Sequence, residues 1–455
     1  MVDKLEAFII ECANWIWGLP LLILIMGGGL ILLFISRGLP YFYLKHAINV
    51  LRGKYDKGSD QGEISHYEAL STALAATVGM GNIAGVAIAI KIGGPGAVYW
   101  MWISALIGVV TKYFTCTLAI MYRGKDSAGE IQGGPMYVIV EGLGKQWKFL
   151  ASFFCVAGLI GCLPVFNANQ LNQAIHDIVL QDFGIQQSLF SNTCVGVVLI
   201  IIVGFVVFGG LKRIATVASK LVPFMVVVYF IAVITIMFQN FEKIPTYLTM
   251  IFSNAFSAEN YTGDPMLGGA LGGLIILGLR RAAFSNEAGI GTAPMAHGAA
   301  KTSEPVHEGL VAMLGPIIDT LIVCTLTAFA ILMTDVWLTT ESNGVTLTAK
   351  AFEASFPVMG KYILLVCIAS FSVSSLFTYS YFGTKCYSFL AGANKKQWYN
   401  IPYVFSILIG TSLSMTAIIS LIDFSYALMA IPTMLSTLLL APKVMEVTRK
   451  YFGRL

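Results

Sequence analysis

Apolar residues run through this chain in long blocks separated by short polar stretches. A helix that crosses a bilayer needs about 20 mostly apolar residues. Eleven segments meet that need, at about 15–36, 66–91, 96–122, 148–181, 190–209, 213–239, 267–295, 307–334, 358–389, 400–418 and 424–441. Blocks this long predict helices, not the alternating ~10-residue strands of a membrane barrel. Two blocks are interrupted. The second reads ALSTALAATVGMGNIAGVAIAIKIGG and the seventh LGGLIILGLRRAAFSNEAGIGTAP, each with a glycine-rich polar stretch near its middle. Interrupted hydrophobic segments at matching places in two halves point to a transporter's binding site.

The matching is regular. Helices two to six form one group of five and helices seven to eleven another, each opening on its interrupted member. Gly79 and Gly289 lie 210 residues apart. Five is odd, so the second group enters the membrane from the opposite side, which makes an inverted repeat. Helix one is an extra element. The predicted architecture is an all-α polytopic membrane protein of eleven transmembrane helices. Its parts are 1–65 (the extra helix and an amphipathic segment), 66–239 (first repeat), 240–266 (external linker), 267–441 (second repeat) and 442–455 (tail).

Composition agrees with the pattern. Hydrophobic residues make up 57% and charged residues 11%, against roughly 25% charged in soluble domains, and the mean hydropathy is +0.78. So little charge cannot coat a soluble globule of 455 residues. A soluble enzyme, a disordered chain and a nucleic-acid binder are excluded as leading readings. No GxSxG, HExxH or GxxxxGK[ST] occurs, so neither hydrolysis nor a nucleotide is expected, and energy must come from an ion gradient. The eight cysteines, Cys12 among them, form no CxxC pair and read as buried small hydrophobes.

Charge sets the expected orientation. Nineteen Lys and Arg fall in loops after odd-numbered helices and in the tail, against five on the other side, Lys4 among them. The N-terminus is therefore expected outside and the C-terminus in the cytoplasm. The start MVDKLEAFII lacks a basic leader, so the run from Trp15 to Ile35 is expected to stay as an anchor. The segment LPYFYLKHAINVLRG within 37–60 should lie along the cytoplasmic membrane surface.

Several residues could carry chemistry. Around Thr77-Val78-Gly79-Met80-Gly81-Asn82-Ile83-Ala84-Gly85 a break would free carbonyls suited to sodium and N–H groups suited to a carboxylate. The same spacing also fits a small-residue packing face. Glu287, in Phe284-Ser285-Asn286-Glu287-Ala288-Gly289-Ile290-Gly291, either binds an ion or locks the break by accepting backbone N–H bonds, with Arg280 and Arg281 as possible partners. Asn167, Asn169, Gln170 and Asn172 either orient a ligand or join helices. Ser370, Ser372, Ser374, Ser375, Thr378 and Ser380 offer a hard-oxygen site for an alkali ion, or bond back to their own helix. Asp319 and Lys112 are intramembrane charges, either coupling groups or halves of structural pairs.

The stretch ALSTALAATVGMGNIAGVAIAI…GGPGAVYWMW closely resembles the alanine or glycine:cation symporter family. So do GGPMY at 133–137, FGGLKRIA at 208–215, LVPFM at 221–225, FSNEAGIGTAP at 284–294 and IDTLIVCTLTA at 318–328. The resemblance covers about residues 15–442. It implies a leucine-transporter type of fold and sodium-coupled uptake of alanine or glycine across a prokaryotic plasma membrane, with no tightly bound cofactor. The implied substrate lies between the breaks, with Thr77, Gly79, Gly81 and Asn82 at its carboxylate end, Gln170 and Asn172 beside it, and Phe284, Ser285 and Asn286 closing the other side. Met80 and Tyr379 border that pocket. Sodium would take carbonyls near Ala75 and Val78 and the hydroxyls of Ser374 and Ser375. The chain departs from the family pattern at Met80, usually small or hydroxylated, at Arg280-Arg281-Ala282, usually Lys-Arg-Gly, and at Tyr379-Ser380-Tyr381-Phe382-Gly383-Thr384, usually Trp-Ser-Tyr-Tyr-Gly-Glu. A proton-coupled or exchange-only carrier working through Glu287 or Asp319 is the alternative. A transport-dead sensor is the reading from another class, with no appended domain to support it.

Overall fold

The computed structural model describes residues 16–17, 19–56, 60–263, 269–412 and 415–454. Lys4, Cys12, Trp15, Lys57 and the N-terminus with its expected sidedness lie outside the described residues. The chain is almost entirely helical: α1 (Pro20–Ser36), α2 (Leu44–Leu51), α3 (His66–Thr77), α4 (Gly81–Gly93), α5 (Gly96–Met121), α6 (Lys145–Phe183), α7 (Leu189–Val207), α8 (Gly210–Gln239), α9 (Ile244–Ser257), α10 (Gly269–Asn286), α11 (Thr292–His297), α12 (Pro305–Met333), α13 (Gly344–Ser355), α14 (Gly360–Ala391), α15 (Gln397–Ser412) and α16 (Met415–Phe452). A small antiparallel hairpin pairs Gly124–Lys125 with Ile131–Gln132.

Among the described residues, seven helices are long and apolar enough to span a bilayer. The pair α3 and α4, bent by 52° at its break, makes an eighth. Local sequence sets their ends. Ser65 opens α3 with a capping box: its hydroxyl accepts from the Glu68 N–H, and the Glu68 carboxylate accepts from the Ser65 N–H over 2.8 Å. Pro305 starts α12, where a missing N–H costs nothing. Residues 442–452, expected to form the tail, are helical and continue α16 without a break. Lys450 supports that last stretch by pairing with Glu446 one turn earlier, at 2.6 Å.

Burial separates an inner group from an outer shell. From Ala69 to Ile90 nearly every residue is buried, on both halves of the first broken helix. Phe190, Ile201 and Phe205 on α7, and Phe224, Ile231 and Phe238 on α8, are exposed apolar side chains suited to lipid. α5 packs against α10 and α12, α6 against α16, and α8 against α3 and α14. α2 buries Ala47 and Val50 and exposes Lys45 and Arg52, as an amphipathic surface helix should.

Candidate functional site

The first break lies between α3 and α4. Val78, with ψ at 86°, leaves helical geometry. Asn82 then folds back on the break: its side-chain oxygen accepts from the Gly79 N–H at 2.8 Å, and its own N–H donates to the Gly79 carbonyl at 3.2 Å. The Asn82 amide also donates to Asp319 on α12, 2.7 Å to the carboxylate and 3.1 Å to the backbone carbonyl. Asn82 is thus a capping residue for one broken helix and a strut to another.

The second break lies between α10 and α11. Glu287 has φ at 53°, a left-handed conformation uncommon away from glycine, and Gly289 and Gly291 follow at 86° and 111°. A side chain at Gly291 would start 2.6 Å from the Thr433 hydroxyl, so only glycine fits. That hydroxyl donates to the freed carbonyl of Ile290 at 3.1 Å. Asn286 closes the turn by accepting from the Ala288 N–H at 3.0 Å, and it donates to Thr320 at 3.1 Å.

Glu287 is held by hydroxyls, not by backbone N–H groups. Thr292 donates to one oxygen, and Tyr379 and Tyr426 donate to the other at 2.6 and 2.9 Å. Arg280 is not its partner. The guanidinium of Arg280 pairs with Asp423 on α16, with Nε 3.1 Å from Oδ2.

The two breaks meet. A Cβ on Gly81 would lie 3.3 Å from the Ser285 Cα and 3.5 Å from the Phe284 ring, so glycine permits this approach. Asp319 joins them chemically, accepting from Asn82 on one oxygen and from Ser285 (2.9 Å) and Thr320 (2.7 Å) on the other. Cys324 sits 3.3 Å from both Asn82 and Ser285. The Phe284 ring meets Phe166 edge-on at 5.2 Å and lies 5.8 Å from Tyr426. Met80 is wholly buried beside the break, and Thr77 bonds back to Ala73.

Oxygen atoms gather on the other flank of the first break. Ser374 donates to the Ala75 carbonyl at 3.3 Å. The Ser375 hydroxyl lies 3.0 and 3.3 Å from the carbonyls of Ala75 and Ala76, and both serines also reach the Phe371 carbonyl of their own helix, at 2.9 and 3.0 Å. A Cβ on Gly79 would fall 2.8 Å from the Ser375 hydroxyl. Each hydroxyl keeps lone pairs for a cation while its proton is engaged elsewhere, and the set is hard oxygen throughout. Among the described residues, Ser370, Thr378 and Ser380 bond only within their own helix.

Gln170 and Asn172 are buried in α6. Asn172 joins helices, donating to Asn192 at 3.0 Å and to the Thr411 carbonyl at 3.2 Å. Each leaves its amide oxygen without a partner among the described residues. Asn167, one turn before, is nearer the first break, 3.7 Å from the Cβ position of Gly79. Thr292, Thr320, Cys324 and Tyr426 were not singled out from the sequence, because a lone hydroxyl or thiol carries little signal until the fold brings it to a partner.

The sequence model of the sodium:alanine symporter family matches residues 2–455. The chain is 36% identical to the sodium/alanine symporter AgcS of Methanococcus maripaludis, over 96% of this chain and 95% of that protein. It is 34% identical to the probable sodium/glutamine symporter GlnT of Bacillus subtilis, over 99% of this chain and 91% of that protein. Among solved structures, MhsT in complex with L-phenylalanine superposes with a TM-score of 0.60 at 13% identity, over 85% of this chain and 99% of that one. At that identity the likeness is one of fold, the leucine-transporter type.

Proposed function

The chain belongs to the sodium:alanine symporter family, whose members are membrane transporters, and from that premise we propose that it imports small neutral amino acids, chiefly alanine or glycine, coupled to sodium. Of eleven spans, arranged as one extra helix and two inverted repeats, 66–239 and 267–441, one repeat-derived bundle would rock around the central site. The N-terminus would lie outside and the C-terminus in the cytoplasm of a prokaryotic cell.

The observation that carries this reading is the meeting of the two breaks, Gly81 against Ser285, with Asp319 bonded to both. In this reading Thr77, Gly79, Gly81 and Asn82 take the substrate carboxylate, Phe284 and Ser285 close over its side chain, and Met80 limits its size. Asn286 and Tyr379 bound the pocket by shaping the second break. Gln170 and Asn172 present amide oxygens from α6. Sodium is cargo and coupling ion together, held by the carbonyls of Ala75 and Val78 and the hydroxyls of Ser374 and Ser375. Sodium would draw α14 onto the first broken helix and so favour a formed pocket.

A second reading, proton coupling, is favoured by one fact: the buried Asp319 carboxylate touches both breaks. The deciding experiment is alanine uptake into proteoliposomes under an inward sodium gradient, with choline as control. Accumulation that needs sodium and is blocked by unlabelled alanine or glycine is expected. Uptake indifferent to sodium overturns the coupling, and sodium-driven uptake of glutamine but not alanine overturns the substrate.

A further inference from the structure

A separate cavity of ≈ 140 Å³ lies beside the C-terminal half of α14, between that helix, the hairpin segment and the start of α8. Its walls carry charge of both signs. Lys385 and Lys396 line it, and so do Glu63 and Asp126, with Phe208 and Leu211 as an apolar wall. No residue of the central site lines it.

Lys385 is the informative group. It is 5% exposed and makes no ion pair among the described residues. Its ammonium donates to the Met295 carbonyl at 2.9 Å and to the Tyr381 hydroxyl at 3.0 Å. Two of its three donors are thereby used, and one remains. A buried ammonium without a carboxylate is costly, and an anionic ligand would relieve that cost. Asp126 uses Oδ1 to hold its own turn, accepting from Ala128 and Glu130. Glu63 and Asp126 together supply acceptors for a ligand ammonium.

The cavity also has the right connection. Lys385 stands six residues past Tyr379 on one helix, about 9 Å along its axis. Met295 stands three residues past Thr292, which bonds Glu287. The cavity therefore lies about one to two helical turns beyond Tyr379 along α14, with Lys396 on its wall.

We propose that this cavity is a second amino-acid site on the release side, which holds the zwitterion with its carboxylate on Lys385 and its ammonium on Glu63 and Asp126. The proposal rests on the transport reading above. Its volume admits the six non-hydrogen atoms of alanine.

The test measures alanine half-saturation from each face, in right-side-out and inside-out vesicles, for the full chain and for Lys385→Met, Lys385→Arg and Glu63→Gln. Lys385→Met is expected to raise the inner-face value at least fivefold and to leave the outer-face value within twofold, with Lys385→Arg near the parent. Glu63→Gln, at a partly exposed side chain, should shift the inner-face value in the same direction, and it decides the matter if Lys385→Met fails to fold. An unchanged inner-face value in both variants overturns the proposal, as does an equal change on both faces. Absence of alanine uptake by the parent chain overturns alanine as the substrate in the reading above, and this alanine site with it.

Discussion

The hydroxyl of Tyr379 donates to the Glu287 carboxylate over 2.6 Å, joining α14 to the turn that breaks the second discontinuous helix. Tyr426 completes the arrangement: its hydroxyl donates to Glu287 at 2.9 Å and stands 2.9 Å from the Tyr379 oxygen. Glu287 sits at positive φ, so these hydroxyls hold a backbone conformation that the residue itself does not favour. Tyr379→Phe removes one of three donors. Transport should fall about tenfold, in line with about 1.5 kcal/mol for one hydrogen bond to a charged group, while the protein still folds. Glu287→Ala strands all three hydroxyls and should lose transport and several degrees of melting temperature. Uptake rates and thermal unfolding in detergent check both.

Ser374 and Ser375 reach the Ala75 and Ala76 carbonyls. If they ligate sodium, Ser375→Ala should raise the half-saturating sodium concentration about tenfold, equal to about 1.4 kcal/mol. Ser374→Ala should act in the same direction. At saturating sodium the alanine half-saturation should stay within twofold of the parent. A rise in the alanine value alone would remove both serines from the ion site.

Both breaks were legible in the sequence because glycine clusters inside apolar runs are local signals. Gly79 and Gly81, and Gly289 and Gly291, stand within a few residues of the groups they serve. The partnerships were not legible. Arg280 looked like a partner for Glu287, seven residues on, but its carboxylate is Asp423, 143 residues away. Asp319 looked solitary because its donors come from α4, α10 and α12. Tyr426 carried no signal at all, since one tyrosine in an apolar helix is ordinary.

The pair of Arg280 and Asp423 is predicted to matter for stability. Asp423 is wholly buried, and its backbone carbonyl also accepts from the Trp17 indole at 2.5 Å. Arg280→Met leaves a buried carboxylate without its cation, which should cost about 3–5 kcal/mol. The double variant Arg280→Met, Asp423→Leu removes both charges and should recover much of that loss. Melting temperatures of the four proteins form the cycle. A double variant no more stable than Arg280→Met would show that the charge is not the source of the cost.

Asp335, beyond the end of α12, gives a pH-dependent prediction. Burial works to raise its pKa, but hydrogen bonds from Lys243 and Tyr247 and the charge of Lys243 outweigh burial, so the carboxyl lies below its ordinary value. A lowered folded pKa means that the stabilisation is fully present above the unfolded value of about 3.9 and is lost as pH falls through the folded one. Both partners are about 40% exposed, so the contribution is about 1 kcal/mol or less. Asp335→Asn should lower the melting temperature by about 1 °C or less at pH 7. The gap between parent and variant should stay constant down to about pH 5 and close as pH falls below the carboxyl's lowered folded value.

Asp319 separates the two coupling ions. One carboxylate oxygen accepts from Asn82, and the other accepts from Ser285 and Thr320. Asparagine can reproduce this: its carbonyl oxygen faces Asn82, whose amide must donate, while its amide nitrogen faces two hydroxyls that can turn and accept. Asp319→Asn therefore keeps the bridge between the breaks and removes the titratable proton. Under sodium coupling the variant should retain concentrative, sodium-driven alanine uptake, at a rate within about tenfold of the parent, a loss of about 1.4 kcal/mol. Under proton coupling it should exchange alanine across the membrane yet fail to accumulate it. Asp319→Ala controls for the bridge itself, because three donors lose their acceptor and transport should stop under either ion. Accumulation and exchange measured side by side in these two variants decide whether Asp319 holds the breaks together or carries the coupling charge.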